Sequence, residues 1–357
     1  MTPLLATGIA VFAAAIAAAY MLIEPIIRAS VRTGYVDIPE GRKDHPRATP
    51  YGGGFVVLSA VALPALLGLG LALLPTTPEW VPAEVSIHFH GIRDRAPQIF
   101  ALLGGAILLT VLGYVDDRKK LPVWPRLAAQ VIAASLLVLA DLKATAWIPS
   151  PIVAAIVTVF FVVLVTNAHN FIDNANGALG GVAAIEASGI LVLAIGHGQW
   201  FVAAVALCLL GGLLVFLPAN FPKPRLFMGD AGAFLVGFLL AGLTIMLRYD
   251  DGRAPWRALA LPALLLLVPV IDGALVTLAR LSRGVSPFTA GHDHLLHRIA
   301  VGVGSREKAT MGLWTIAWIG VLVANACSGA PRSGADVAFL PVLAVIVWMR
   351  RRRGSVA

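Results

Sequence analysis

Charge is scarce in this chain. Only 13% of its 357 residues are Asp, Glu, Lys or Arg, roughly half the share found in a soluble domain. A surface that poor in charge cannot face water all round, so the soluble globular class is excluded. Cysteine is nearly missing too: Cys208 and Cys327 both fall in or near apolar stretches and have no metal-ligand spacing. That excludes a disulfide framework or a zinc site and leaves both as packing residues. No Pro/Gly/Ser-rich linker and no run of like charge separates two folding units, so residues 1–357 are taken as a single domain. Acids number only 19, which makes the position of each one informative.

Apolar sequence dominates, at 59% hydrophobic residues and a mean hydropathy of +0.86. A helix needs about 20 apolar residues to cross the ~30 Å hydrocarbon layer. Runs near that length occur at 3–23, 53–74, 97–115, 127–141, 150–168, 178–196, 201–218, 232–247, 257–278, 311–328 and 336–349, the fourth and last being short. The expected fold is an all-α polytopic membrane protein of 10–11 transmembrane helices, about 11 in the full reading. The first run has no basic region before it and continues into Glu24 and Arg28, so it reads as a retained helix rather than a signal peptide. Alternating the loops puts 20 of the 27 Lys and Arg on one side and 7 on the other. The positive-inside rule then places the C-terminus in the cytoplasm and the N-terminus outside, in the cell membrane. The net charge of +8 is explained by that rule and by anionic lipid or substrate, with no nucleic acid required. On the outer side, 75–96 alternates β-branched residues and is expected as a small hairpin or an interfacial segment; His88 and His90 read as surface residues.

Five polar islands remain, all on the basic side: 42–54, 116–130, 167–177, 221–230 and 286–298. Asp116 and Asp117 end the third run, where two adjacent carboxylates are costly unless they meet water, a cation or a proton. Arg126 and Gln130, four apart, share a face of the next helix. Asn167, Asn170, Asp173 and Asn176 recur every three residues, which on a helical end gives one broad face of hard oxygen donors suited to Mg²⁺. Asp230 stands just before the eighth run, where capping its own helix is the plain reading. His294 and His297 with Arg298 form a cradle for a diphosphate and a poor zinc site.

Taken together and in order, the islands resemble the polyprenyl-phosphate N-acetylhexosamine-1-phosphate transferase family, of glycosyltransferase family 4 type. The pattern D-x-P-x-x-R-K-x-H…P-x-x-G-G is met by Asp37, Pro39, Arg42, Lys43, His45, Pro50, Gly53 and Gly54. D-D-x-x-x-L-x-x-x-x-[KR]-L-x-x-Q runs from Asp116 to Gln130, N-A-x-N-x-x-D takes Asn167, Asn170 and Asp173, and F-M-G-D spans Phe227 to Asp230. H-L-x-H-R follows at His294, Leu295, His297 and Arg298, preceded by Asp272. The chain departs from the family at Asn174 and Asn176, where a Gly and an Asp are usual. It also has Leu296 where many relatives carry a middle His. The missing triple-His pattern sets it nearer the UDP-GlcNAc:undecaprenyl-phosphate branch than the muramoyl-pentapeptide branch.

The resemblance implies an enzyme that moves HexNAc-1-phosphate from a UDP-N-acetylhexosamine, UDP-GlcNAc foremost, to polyprenyl phosphate (undecaprenyl or decaprenyl), releasing UMP. It implies Mg²⁺, with Mn²⁺ as the alternative, held by Asp230, Asn170 and Asp117. Catalytic roles fall to Asp116, Asp117, Asp173 and Asp230, with Asp116 receiving or orienting the lipid phosphate proton. Substrate binding falls to Lys43, His45, Lys119, Arg126, Asn167, Asn176, Arg280, His294, His297 and Arg298, and a homodimer is a further expectation of the family. Two other classes stay open on the residues alone: a secondary transporter, which would keep its ionisable groups near the bilayer midplane, and an inactive scaffold descended from such an enzyme.

Overall fold

A computed structural model describes residues 3–39, 48–144, 148–249, 256–286, 293–329 and 339–354. Lys43 and His45 lie outside the described residues. Among these described residues fifteen helices follow in order: α1 (Pro3–Arg32), α2 (Gly53–Ala72), α3 (Ala83–Ser86), α4 (Phe89–Asp94), α5 (Ala96–Lys119), α6 (Val123–Leu139), α7 (Pro151–Ile172), α8 (Ala178–Gly196), α9 (Trp200–Asn220), α10 (Gly229–Met246), α11 (Arg257–Leu265), α12 (Leu267–Leu281), α13 (Leu295–Val303), α14 (Arg306–Cys327) and α15 (Leu340–Gly354). The fold is an all-α polytopic membrane protein. Among the described residues, eight helices are long and apolar enough to span a membrane: α1, α2, α5, α7, α8, α9, α10 and α14. The other three expected runs also fold as helix, but α6 has 17 residues, α15 has 15, and the ninth run is broken.

That break separates α11 from α12 by 86°. Pro269 has no N–H to donate to the carbonyl of Leu265, where α11 ends, and its ring would clash with that carbonyl. Helix α12 leaves the bundle line as an amphipathic arm and leads to α13. The outer segment departs from the hairpin expectation: it forms the short helices α3 and α4, and Val81 and Phe89 pack with Ala72 at the end of α2. Burying those apolar side chains outweighs the weak strand pattern around Val85 and Ile87.

Two helices are apolar on all sides and sit in the interior. Residues 178–194 of α8 and 231–244 of α10 are buried almost without interruption. Glycine lets neighbouring backbones reach α10. A Cβ at Gly113 of α5 would lie 2.3 Å from the Ala231 nitrogen, and one at Gly54 of α2 would lie 2.5 Å from the Gly232 nitrogen. The beginning of α10 is therefore gripped between α2 and α5, one turn below Asp117. A two-stranded ribbon not anticipated from the sequence, β1 (Val36–Asp37) against β2 (Thr49–Pro50), closes over the same end. Tyr51 continues it by bridging to Phe227.

Candidate functional site

The polar ends of α5, α7 and α10 meet beneath that ribbon. Asp117 Oδ1 accepts from the backbone N–H of Asp230 at 2.9 Å, and Oδ2 accepts from that of Ala231 at 3.4 Å and from the Tyr35 hydroxyl at 2.5 Å. Helix α10 is thus capped by a carboxylate from another helix, so the self-capping reading of Asp230 is corrected. The approach requires Gly229, whose φ is +70° and whose added Cβ would fall 2.6 Å from Asp117 Oδ2. Freed from capping, the Asp230 side chain accepts from Asn170 Nδ2 at 2.7 Å and lies beside Asp116 and Lys120.

Asp116 is 2% exposed. Its Oδ1 accepts from Leu121 N at 2.6 Å and its Oδ2 pairs with Arg126 at 3.2 Å. Those contacts follow from sequence: the left-handed cap at Lys120 (φ +50°) turns the chain so that Leu121 N–H comes back to Asp116. Arg126 opens the next helix within reach. Asn167 and Gln130 exchange hydrogen bonds of 2.6 and 3.4 Å across α7 and α6.

Asp173 caps the C-terminal end of α7 and accepts no side-chain hydrogen bond among the described residues. It keeps some contact with solvent, yet protein packs densely around it. Burial first, then the charges of Asp230 and Asp117, push its carboxyl up to about 8. Around the rim, burial and the neighbouring carboxylates Asp117 and Asp37 hold the Tyr35 and Tyr51 phenols firmly protonated. Arg118 lies over the rings of Tyr114 and Tyr35, 4.9 and 5.5 Å from their centres.

The three-residue spacing of 167–176 does not survive as one face. The helix stops at Ile172, and Asn176 lies beyond it in the loop, its amide donating to the Pro222 carbonyl at 3.3 Å. The next residue, Gly177 (φ +74°), donates to Asn220 Oδ1 at 2.6 Å and accepts from Trp314 Nε1 at 2.9 Å. The loop is therefore anchored to α9 and α14. A Cβ at Gly177 would meet the Phe221 ring at 2.6 Å.

A second cluster sits on the arm. Asp272 Oδ2 accepts from His294 Nδ1 at 2.9 Å while its Oδ1 accepts from Leu295 N at 2.6 Å, fixing the start of α13. Asp293 pairs with Arg283 at 2.7 Å and Arg280 at 3.3 Å, and these guanidinium contacts hold its carboxyl below the usual range. Arg298 Nε donates to the Asp293 carbonyl at 3.1 Å. The His294 ring packs against Phe171, next to Asn170 in sequence, at 5.9 Å, and against His297 at 6.2 Å. Leu296 points into the core, 1% exposed.

A profile for glycosyl transferase family 4 matches residues 99–248, the stretch from α5 to α10 that carries the whole carboxylate cluster. Over that stretch the chain is similar to glycosyl transferase family 4. The chain is 29% identical over 345 residues to a decaprenyl-phosphate N-acetylglucosaminephosphotransferase of Mycolicibacterium smegmatis, covering 89% of this chain and 81% of the relative. It is 25% identical over 313 residues to a probable undecaprenyl-phosphate N-acetylglucosaminyl 1-phosphate transferase of Bacillus subtilis (84% and 79%). It is 26% identical over 316 residues to an undecaprenyl-phosphate alpha-N-acetylglucosaminyl 1-phosphate transferase of Yersinia pestis (83% and 78%).

Asp116, Asp117, Asn170, Asp173 and Asp230 come together, while Arg280, His294, His297 and Arg298 gather on the adjoining arm. Lys119 and Lys120 are both exposed, and Lys120 is the lysine whose charge reaches Asp230. Sequence reading passed over Lys120 because only the left-handed turn separates the two neighbours. It also passed over Tyr35, and over a buried pair on α7 and α8, His169 and Glu186.

Among the described residues no three His, Cys, Asp or Glu side chains converge into a closed metal cage. Mg²⁺ does not need one: it keeps several waters and takes one or two carboxylates plus substrate phosphates. Asp173 without a hydrogen-bond donor, close to the charges of Asp230 and Asp117, fits a place where such a cation offsets repulsion. Both oxygens of Asp117 already accept hydrogen bonds, so its geometry suits orienting α10 better than ligating.

Proposed function

We propose that this chain transfers GlcNAc-1-phosphate from UDP-GlcNAc to a decaprenyl or undecaprenyl phosphate. An oxygen of the lipid phosphate attacks the β-phosphorus of the nucleotide sugar. The bond from that phosphorus to the bridging oxygen breaks, and the bridging oxygen leaves on UMP. The observation that carries this reading is the meeting of Asp116, Asp117, Asp173, Asp230 and Asn170 at one end of three apolar helices. The names of the relatives, which specify polyprenyl-phosphate acceptors and N-acetylglucosamine phosphate transfer, support it.

Asp230 and Asp173, with the Asn170 side-chain oxygen, would hold Mg²⁺, which when bound neutralises diphosphate charge as the phosphoryl group moves. Asp117 holds the N-terminus of α10 and Tyr35 so that Asp230 stays aimed. Asp116, ion-paired with Arg126, fixes the α5–α6 turn. With Asp116 held in that pair, and a lipid phosphate already anionic near pH 7, the reaction needs positioning of the two phosphates more than a strong base. Lys120, Arg280, His294, His297 and Arg298 bind phosphate and uridine oxygens. The site faces the cytoplasm of the cell membrane, as the 20-to-7 Lys and Arg distribution supports.

Purified protein in detergent, given polyprenyl phosphate, tests the reading by UMP release from UDP-GlcNAc and UDP-GalNAc, with Mg²⁺ or with a chelator. Metal-dependent UMP from UDP-GlcNAc is expected. UMP release that ignores the lipid acceptor, or none at all, refutes it. Orientation has its own check: a cysteine replacing Ser282 should resist an impermeant thiol reagent in intact cells, and one replacing Ser86 should react.

A further inference from the structure

Away from the carboxylates, in the apolar interior, His169 of α7 and Glu186 of α8 face each other with Nε2 and Oε2 2.9 Å apart and no exposure on either side chain. His169 Nδ1 donates to the Val165 carbonyl at 2.8 Å, so one further proton is shared between the imidazole and the carboxyl. Glu186 Oε1 has no partner among the described residues. Ionisable groups inside a membrane protein are expensive, and an apolar pair of similar volume usually holds helices together at least as well. Stability therefore does not account for this pair.

Its placement supplies the reason. Helices α7 and α8 are joined by the loop 173–177, which carries Asp173 and Asn176, yet they pack mainly on other partners: α7 on α10, α6 and α12, and α8 on α9 and α14. His169 precedes Asn170, whose amide holds Asp230, and lies one turn before Asp173. Successive residues of a helix point about 100° apart, so any rotation of α7 that releases His169 swings Asn170 off Asp230 by the same angle. On the α10 side the backbone closes in, since a Cβ at Gly237 would lie 3.0 Å from the His169 Cβ and 2.8 Å from the Thr166 Cα. We propose that His169 and Glu186 are a positioning pair: their hydrogen bond ties α7 to α8 and fixes the rotation at which Asn170 and Asp173 meet Asp230. The inference rests on those residues forming the transferase site.

The test uses the full-length protein with Glu186→Leu, Glu186→Gln and the double variant His169→Leu/Glu186→Leu, which removes both polar partners and guards against a fold lost to one buried orphan. Two quantities are measured: amide hydrogen exchange of 173–177, and kcat with KM for UDP-GlcNAc. Without the tie, exchange in 173–177 should quicken by about tenfold or more, with α9 and α10 amides unchanged. In the same Leu-containing variants kcat should fall by about 30-fold with KM within about threefold. Glu186→Gln keeps a hydrogen bond to Nε2 and should stay within about threefold of the parent in both readouts. Wild-type exchange and kcat in the double variant, or a Gln variant as impaired as the Leu variant, would overturn the proposal. A parent protein that releases no UMP defeats the transferase reading instead, and the exchange data alone then decide the tie.

Discussion

Two polar regions share one end of this molecule and are built in opposite ways. The carboxylate cluster stands on α5, α7 and α10, whose backbones are drawn into close approach by Gly113 and Gly237. Its acids are buried (Asp116) or half-buried (Asp117, Asp173, Asp230) with little positive charge beside them, Arg126 and Lys120 excepted. The arm cluster stands on α12 and α13, past an 86° break, and there the basic groups outnumber the acids that hold them, Asp272 and Asp293. Negative charge is fixed on the rigid half and positive charge on the peripheral half. A nucleotide diphosphate with a divalent cation is complementary to both at once: the metal answers the core acids and the phosphate oxygens answer the arm.

Substitutions on the two sides should therefore fail differently. The largest effect belongs to the core. Asp230→Asn should lower kcat by about a thousandfold, since loss of metal neutralisation removes several kcal/mol from the transition state. Its thermal midpoint should hold, because an amide of the same shape can still accept from Asn170. More than about a tenth of the parent rate would show that the acid is not central.

Gly113→Ala comes next. Its Cβ would collide with the Ala231 backbone, and overpacking of this kind costs about 1–3 kcal/mol. Separating α5 from α10 also pulls Asp117 off the Asp230 N–H, so activity should drop about 10- to 100-fold along with the melting temperature. On the arm, Asp272→Asn weakens the seat of His294 and should raise KM for UDP-GlcNAc about tenfold with kcat little changed. Equal losses in kcat would mean that the two halves act as one unit.

Proton linkage sharpens the contrast. Asp173, pushed up to about 8, holds a proton that an incoming cation must displace. Apparent Mg²⁺ affinity should climb as pH rises from about 6 to 8, by up to about tenfold per unit, and level off above. Isothermal titration at fixed ionic strength reads this directly, and a flat profile would remove Asp173 from the cation site. The smallest effect is Asn176→Asp. The restored family residue would set a carboxylate against the Pro222 carbonyl in place of the present amide donor. A loss of about 1–3 kcal/mol in stability is expected, with activity within a few-fold of the parent; a higher melting temperature would contradict the contact.

Much of this was legible beforehand because it is written in composition and order. Apolar runs announce membrane helices, and the islands at 116–130, 167–177 and 221–230 announce a shared polar end. What escaped depends on three-dimensional partners. Asp230 reads as its own helix cap until α5 is seen to supply Asp117. Lys119 and Lys120 are equivalent until a left-handed residue turns one of them toward Asp230. The break before α12 hides inside an apolar run whose proline gives only a local hint. His169 and Glu186, 17 residues apart, carry no spacing signal of their own. The outer segment misled because alternation over a few residues weighs less than burying Val81 and Phe89.

The central claim is that the β-phosphate moves with the sugar. UDP-GlcNAc labelled with ³²P at the β-position and ³H in the sugar, incubated with purified protein, Mg²⁺ and decaprenyl phosphate, separates the possibilities by organic extraction. Both labels should enter the lipid phase in equal amounts, should stay aqueous with chelator, and should stay aqueous with the Asp230→Asn variant. Tritium in the lipid phase without ³²P would mean that sugar alone is transferred and would contradict the account.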